Sequence, residues 1–109
     1  MINIISKKAT IAATAEICHP AAIHDYSVIG ENCHVGRGTE IGEYCHVGDG
    51  VIIGENCHIG EGVIIGSGAV IEYGAIIDGG AEIPNNAIIG SGLFVMPSTH
   101  PMWFPYEDE

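Results

Sequence analysis

Branched aliphatic residues recur along this chain with a period of six. Reading in sixes from Ile5, the first position of each hexad is Ile5, Ile11, Ile17, Ile23, Ile29, Val35, Ile41, Val47, Ile53, Ile59, Ile65, Ile71, Ile77, Ile83, Ile89 and Val95, without exception. Ile and Val together make up about a quarter of the residues, so such an unbroken run by chance is on the order of one in 10^10, and the repeat governs the fold. The fifth position is small or modest in size: Ala9, Ala15, Ala21, Ser27, Cys33, Thr39, Cys45, Val51, Cys57, Val63, Ala69, Ala75 and onward to Thr99. Strand side chains alternate, so the fifth and first positions point to one side while the sixth points away. A small residue beside a branched one fills a narrow interior without overpacking.

The fourth position is often Gly or Asn, as at Asn32, Gly38, Gly50, Asn56, Gly62 and Asn86. Both tolerate the positive φ of a tight corner. Each hexad therefore reads as a short strand and a corner, and three of them close a triangular coil of eighteen residues. The predicted class is all-β, a single-stranded parallel β-helix of about five coils, over residues 1–100, followed by an aromatic and acidic tail over 101–109. An ordinary sandwich, with a turn every eight to twelve residues, does not fit the period. The repeat does not set the hand of the coil, and the general rule for parallel crossovers favours a right-handed one.

Composition narrows the function. The 109 residues hold three Lys and Arg against fourteen Asp and Glu, a formal charge of −11. So acidic a surface repels phosphate backbones and anionic lipid, which argues against nucleic-acid and membrane partners. Hydrophobic residues are 47% of the chain but aromatics only 6%, so the apolar mass is aliphatic and a disordered acidic tail is excluded. No basic cluster precedes the apolar start, as it would in a signal peptide, and no apolar run reaches the length of a membrane span. A cytoplasmic location is expected.

The outward sixth positions sort into three faces of residues eighteen apart: Glu16, His34, Ile52, Val70, Ile88; Thr10, Val28, His46, Ile64, Glu82, His100; and Ala22, Glu40, His58, Ile76, Phe94. Ile52, Val70 and Ile88 form an apolar stripe where a solvated face is polar, and a partner explains that better than water does. Cys33, Cys45 and Cys57 fall at inward positions and read as small core residues, neither disulfides nor nucleophiles. Their neighbours His34, His46 and His58 point outward on three different faces, so the Cys-His pairs do not converge on a metal within one chain. His34 alone could meet its symmetry mates around a threefold axis. His19 and His24 are read as surface corner residues. Ranks of outward Thr, which an ice-binding solenoid needs, are missing, since Thr10 stands alone on these faces.

Motifs such as Ile29-Gly30-Glu31-Asn32-Cys33-His34 and Ile65-Gly66-Ser67-Gly68-Ala69-Val70 resemble the bacterial transferase hexapeptide repeat. The resemblance covers nearly the whole chain and implies a left-handed coil and a homotrimer, for which the Ile52/Val70/Ile88 face is the candidate contact. The segment from Ile83-Pro84-Asn85-Asn86 to Ser98-Thr99-His100-Pro101 is similar to the maltose and galactoside O-acetyltransferases. That similarity implies transfer of an acetyl group from acetyl-CoA to a sugar-like hydroxyl, with His100 as the general base and no metal. An imidazole titrates near neutral pH and suits the removal of a hydroxyl proton as the acceptor attacks the thioester. Glu82, eighteen residues earlier on the same face, could orient His100 or stabilise its imidazolium; this follows from the repeat alone.

Relatives of this kind continue with further coils that hold the pantetheine arm, whereas nine residues follow His100. Coenzyme A carries about four negative charges, and Lys7, Lys8 and Arg37 are the chain's only Lys and Arg. No coenzyme-binding residue can be named, and a shortened acetyltransferase is the expectation. The alternatives are a non-catalytic β-helical scaffold or fragment, a nucleotide-sugar N-acyltransferase, and a metal protein of the γ-carbonic anhydrase kind. The last lacks a third histidine at the required spacing from His19 and His24.

Overall fold

The computed structural model describes residues 4–97. Within them the chain forms sixteen strands of two residues each, one per hexad, wound into a parallel β-helix with three sheets. The first sheet stacks β1 (Ile4–Ile5), β4 (Ala22–Ile23), β7 (Glu40–Ile41), β10 (His58–Ile59), β13 (Ile76–Ile77) and β16 (Phe94–Val95). The second stacks β2 (Thr10–Ile11), β5 (Val28–Ile29), β8 (His46–Val47), β11 (Ile64–Ile65) and β14 (Glu82–Ile83). The third stacks β3 (Glu16–Ile17), β6 (His34–Val35), β9 (Ile52–Ile53), β12 (Val70–Ile71) and β15 (Ile88–Ile89). Every recorded pairing joins residues eighteen apart, for example His58 with Glu40 below and Ile76 above. The three faces read from the repeat are thus the three sheets.

The interior is the ladder of first-position residues, with Ile23, Ile41, Ile53, Ile59, Ile65, Ile71 and Ile77 fully buried. The fifth-position residues do more than save space. A coil turning inward at its corner leaves carbonyls to be satisfied, and an unpaired buried carbonyl costs about 1–3 kcal/mol. Thr39 Oγ1 donates to the carbonyl of Gly54 at 2.7 Å, and the thiols of Cys33 and Cys45 donate to Gly48 and Gly60 at 2.9 Å each. Cys57 donates likewise to Glu72 at 3.1 Å. All four cysteines are free, and burial pushes the thiols of Cys33, Cys45 and Cys57 up from their ordinary value.

Two corner features go beyond the expectation of Gly or Asn at the fourth position. Tyr26 and Tyr44 adopt the same left-handed backbone, with φ of 64° and 60°. Their rings stack on each other at 5.2 Å between centroids, and the Lys8 ammonium lies 5.6 Å from the Tyr26 ring. Ring stacking and a cation–π contact offset the strain of the backbone. The second position also demands glycine, for a different reason. A Cβ on Gly36 would come within 2.5 Å of the Gly54 carbonyl carbon, and one on Gly66 within 2.5 Å of the Asn85 nitrogen. Coils approach each other there backbone to backbone. Among the described residues no helix is long and apolar enough to cross a membrane.

Candidate functional site

The period of two along a strand and of eighteen between coils together decide which polar side chains can meet. Ala22 and His24 stand two apart and share a side of the chain, Glu40 lies over Ala22, and His58 lies over Glu40. Because Ala22 is small, His24 reaches diagonally up to Glu40, with Nε2 3.1 Å from Oε2. From above, His58 places Nδ1 3.3 Å from the other carboxylate oxygen, Oε1. One carboxylate therefore bridges two imidazoles on the outer surface of the first sheet.

This bridge borders an open cavity of about 290 Å³, also lined by Gly42, Gly60, Glu43 and Glu61. An ionised carboxylate only accepts hydrogen bonds. Glu40 thus accepts from Nε2 of His24, and Nδ1 of His58 lies within ion-pair range of its other oxygen, so Nδ1 of His24 and Nε2 of His58 are the ring nitrogens this carboxylate does not engage. An imidazole with one ring nitrogen to spare, held by a carboxylate beside a cavity, is what a general base needs. The walls are acidic, so the cavity favours a neutral or cationic acceptor over an anion.

The structure distributes the sequence-predicted residues as follows. His34, His46 and His58 stand on the third, second and first sheets, as the alternation implies. His24 is not an isolated corner residue, because it joins His58 through Glu40. Glu82 is exposed on β14, in register with Ile64 below it. His100, like the tail at 101–109, lies outside the described residues. Ile52 and Ile88 are 47% and 68% exposed on the third sheet, with Val70 between them. Of the cations, Lys8 lies over Tyr26, and Arg37 Nε donates to the His19 carbonyl at 3.4 Å. Among the described residues no group of three or more His, Cys, Asp and Glu is placed to hold a metal ion. The signal for the bridge was present in the sequence as His24, Glu40 and His58, spaced by sixteen and eighteen, and it is visible only once the second position is recognised as outward.

Comparison with known proteins locates the architecture. Residues 32–67, about a third of the chain, match the bacterial transferase hexapeptide (six repeats). No curated protein matches in sequence. Among solved structures, the chain is similar to a mutant of GDP-perosamine N-acetyltransferase from Caulobacter crescentus in complex with CoA and GDP-perosamine. The TM-score is 0.63 at 20% identity, covering 90% of this chain and 51% of that one. It is also similar to the acetyltransferase domain of PglB from Neisseria gonorrhoeae in complex with acetyl coenzyme A, with TM-score 0.54 at 18% identity, covering 84% and 53%. A third is UDP-N-acetylglucosamine acyltransferase from Francisella novicida, with TM-score 0.52 at 23% identity, covering 86% and 46%. The chain spans about half the length of these proteins. At such identities the likeness is one of fold, and the fold is the parallel β-helix of the hexapeptide repeat, consistent with the left-handed coil that the resemblance implies.

Proposed function

We propose that this chain serves acyl transfer from an acyl-coenzyme A thioester to a sugar-like hydroxyl, with no covalent enzyme intermediate. The observation that carries this reading is the His58–Glu40 pair lining a cavity on a hexapeptide coil. Nε2 of His58 takes the acceptor proton as the hydroxyl attacks the thioester, and Glu40 steadies the imidazolium that forms. Two of these structural neighbours are solved with CoA or acetyl-CoA, and one of them is named for N-acetylation of the amino sugar GDP-perosamine, so an amine acceptor is the variant of this reading. The sequence offers His100 as a second base, with Glu82 one coil below it. Assembly as a homotrimer through Ile52, Val70 and Ile88 would bury the exposed stripe and bring two chains to each site. Four cysteines placed without disulfide partners fit a cytoplasmic setting.

The experiment is calorimetric titration with acetyl-CoA, followed by acetyl transfer to a panel of sugars by the wild type, His58→Ala and His100→Ala. Saturable binding at micromolar concentration with a loss of about 10²-fold or more in one variant assigns the base. Binding with full transfer in both variants overturns both assignments. A second reading, a non-catalytic scaffold, draws support from the three cations confined to Lys7, Lys8 and Arg37. Coenzyme phosphates would need these or backbone N–H groups, and the scaffold predicts no coenzyme binding at all.

A further inference from the structure

The lower part of the third sheet carries a second cluster that the reading above leaves unused. Glu16 and Cys18 are two residues apart and emerge on the same side of the chain, and His34 lies directly over Glu16. The imidazole places Nδ1 3.3 Å from Glu16 Oε1 and Nε2 3.8 Å from Cys18 Sγ. The carboxylate accepts and cannot donate, so the ring proton resides on Nδ1 and the Nε2 lone pair faces the thiol. Nucleophile, base and orienting carboxylate stand in the order in which thiol chemistry uses them. Cys18 differs from its three counterparts. Cys33, Cys45 and Cys57 are buried and spend their protons on backbone carbonyls, whereas Cys18 is partly exposed and its sulfur faces an imidazole.

We propose that Cys18 is a nucleophilic thiol, activated by His34 and positioned through it by Glu16, that accepts an acyl group from a small thioester. His34 Nε2 takes the thiol proton, and the sulfur bonds to the thioester carbonyl carbon. The donor carbon–sulfur bond then breaks, and the departing thiolate recovers the proton from Nε2. One thioester is exchanged for another, so no oxidant or further reactant is required. The site lies on the third sheet, apart from the His58 cavity on the first, and the two succeed or fail separately.

The test incubates the full chain with S-acetyl-N-acetylcysteamine, a thioester without phosphates, and maps acetylation by peptide mass spectrometry at neutral pH. The expected result is one hydroxylamine-labile acetyl group on Cys18 and none on Cys33, Cys45 or Cys57. His34→Gln slows acetylation about tenfold or more, the lower edge of what a positioned base contributes. Glu16→Gln slows it less and shifts its pH profile, which a merely structural role would not do. Circular dichroism verifies that each variant is folded. No acetylation of Cys18, or an unchanged rate in folded His34→Gln, overturns the proposal. Should that variant fail to fold, the pH dependence of wild-type Cys18 alkylation by iodoacetamide decides. Reactivity that persists below the range of the same cysteine in the urea-unfolded chain supports activation, and coincident profiles overturn it. Acetyl-CoA binding measured by calorimetry without Cys18 acetylation sinks this proposal and leaves the preceding one standing.

Discussion

The coils below Ile52 and the coils above it share one interior and wear two different exteriors. Inside, the same branched ladder runs through both: Ile23, Ile29 and Ile41 below, Ile65, Ile71 and Ile77 above, each 0–1% exposed. Outside, the lower coils carry Glu16, His34, Glu40 and His46; Glu16 pairs with His34 one coil up, and Glu40 with His24 and with His58 at the start of the upper coils. Beyond His58 the upper coils carry Ile64, Val70, Ile76, Ile88 and Phe94 at the equivalent addresses, with Glu82 the one charged residue among them. A parallel strand pair is held by backbone hydrogen bonds and by its buried side chains, so the outward position is left free to vary. The polar pairs lie low on the exterior and the apolar stripe lies high. The Glu16–His34 cluster lies in the first region, the Glu40–His58 pair joins the first region to the start of the second, and the stripe proposed for self-assembly occupies the second.

The comparison rests on a common interior, and three measurements bear on it. The largest effect is expected from Gly36→Ala and Gly66→Ala, one from each region. Each added methyl meets the backbone of the next coil, so each costs about 3 kcal/mol or more by urea denaturation, toward the upper end of overpacking penalties. A severe loss in only one of them would mean that the two regions are not wound alike. Next comes the contrast between Ile59→Ala and Ile64→Ala, five residues apart with opposite exposure of 0% and 46%. The first is expected to cost about 3 kcal/mol and the second within about 0.5 kcal/mol. A large loss of stability for Ile64→Ala that depends on protein concentration would place the second sheet in an interface.

The smallest effect is one of pH. Burial raises the thiols of Cys33, Cys45 and Cys57 in the folded chain, while unfolded thiols ionise near pH 8.5. Below that pH both states hold the protons and the contribution is complete. Above it the unfolded state loses protons first, so stability falls as pH rises toward the raised folded values. The melting temperature is expected to drop by a few degrees between pH 8 and 10, less so when the three cysteines are replaced by Val, Thr and Ala. A flat profile would mean that these thiols ionise freely.

The coil, its three sheets and the occupants of each face were legible in the sequence because a period of six lines up one branched residue per hexad on the inner side, and from Ile23 to Ile83 every one of these is buried. The clusters were not legible as they stand. The second position, seen only as part of a corner, is outward-facing where it bears a side chain, and both His24 and Cys18 occupy it. In the central coils the same position is glycine because a neighbouring backbone fills the space, a constraint of stacking that no local turn preference expresses. Tyr26 and Tyr44 escaped for the opposite reason. Their local preference is against a positive φ, and only the neighbours one coil away, Lys8 and each other, make it tolerable. The thiol donors at Cys33 and Cys45 were seen as volume, and their hydrogen bonds depend on carbonyls fifteen residues ahead.

Strict pairing at intervals of eighteen has a consequence for how such a chain can change its length. Inserting a single residue would turn every following side chain inside out until the next corner and slide three sheets out of alignment at once. Gaining or losing one whole turn disturbs only the two coils that become neighbours, since each coil touches just those above and below. The molecule's length is in effect quantised: a gene for this fold grows or shrinks safely in blocks of 54 nucleotides, about 18 codons, and hardly at all between them.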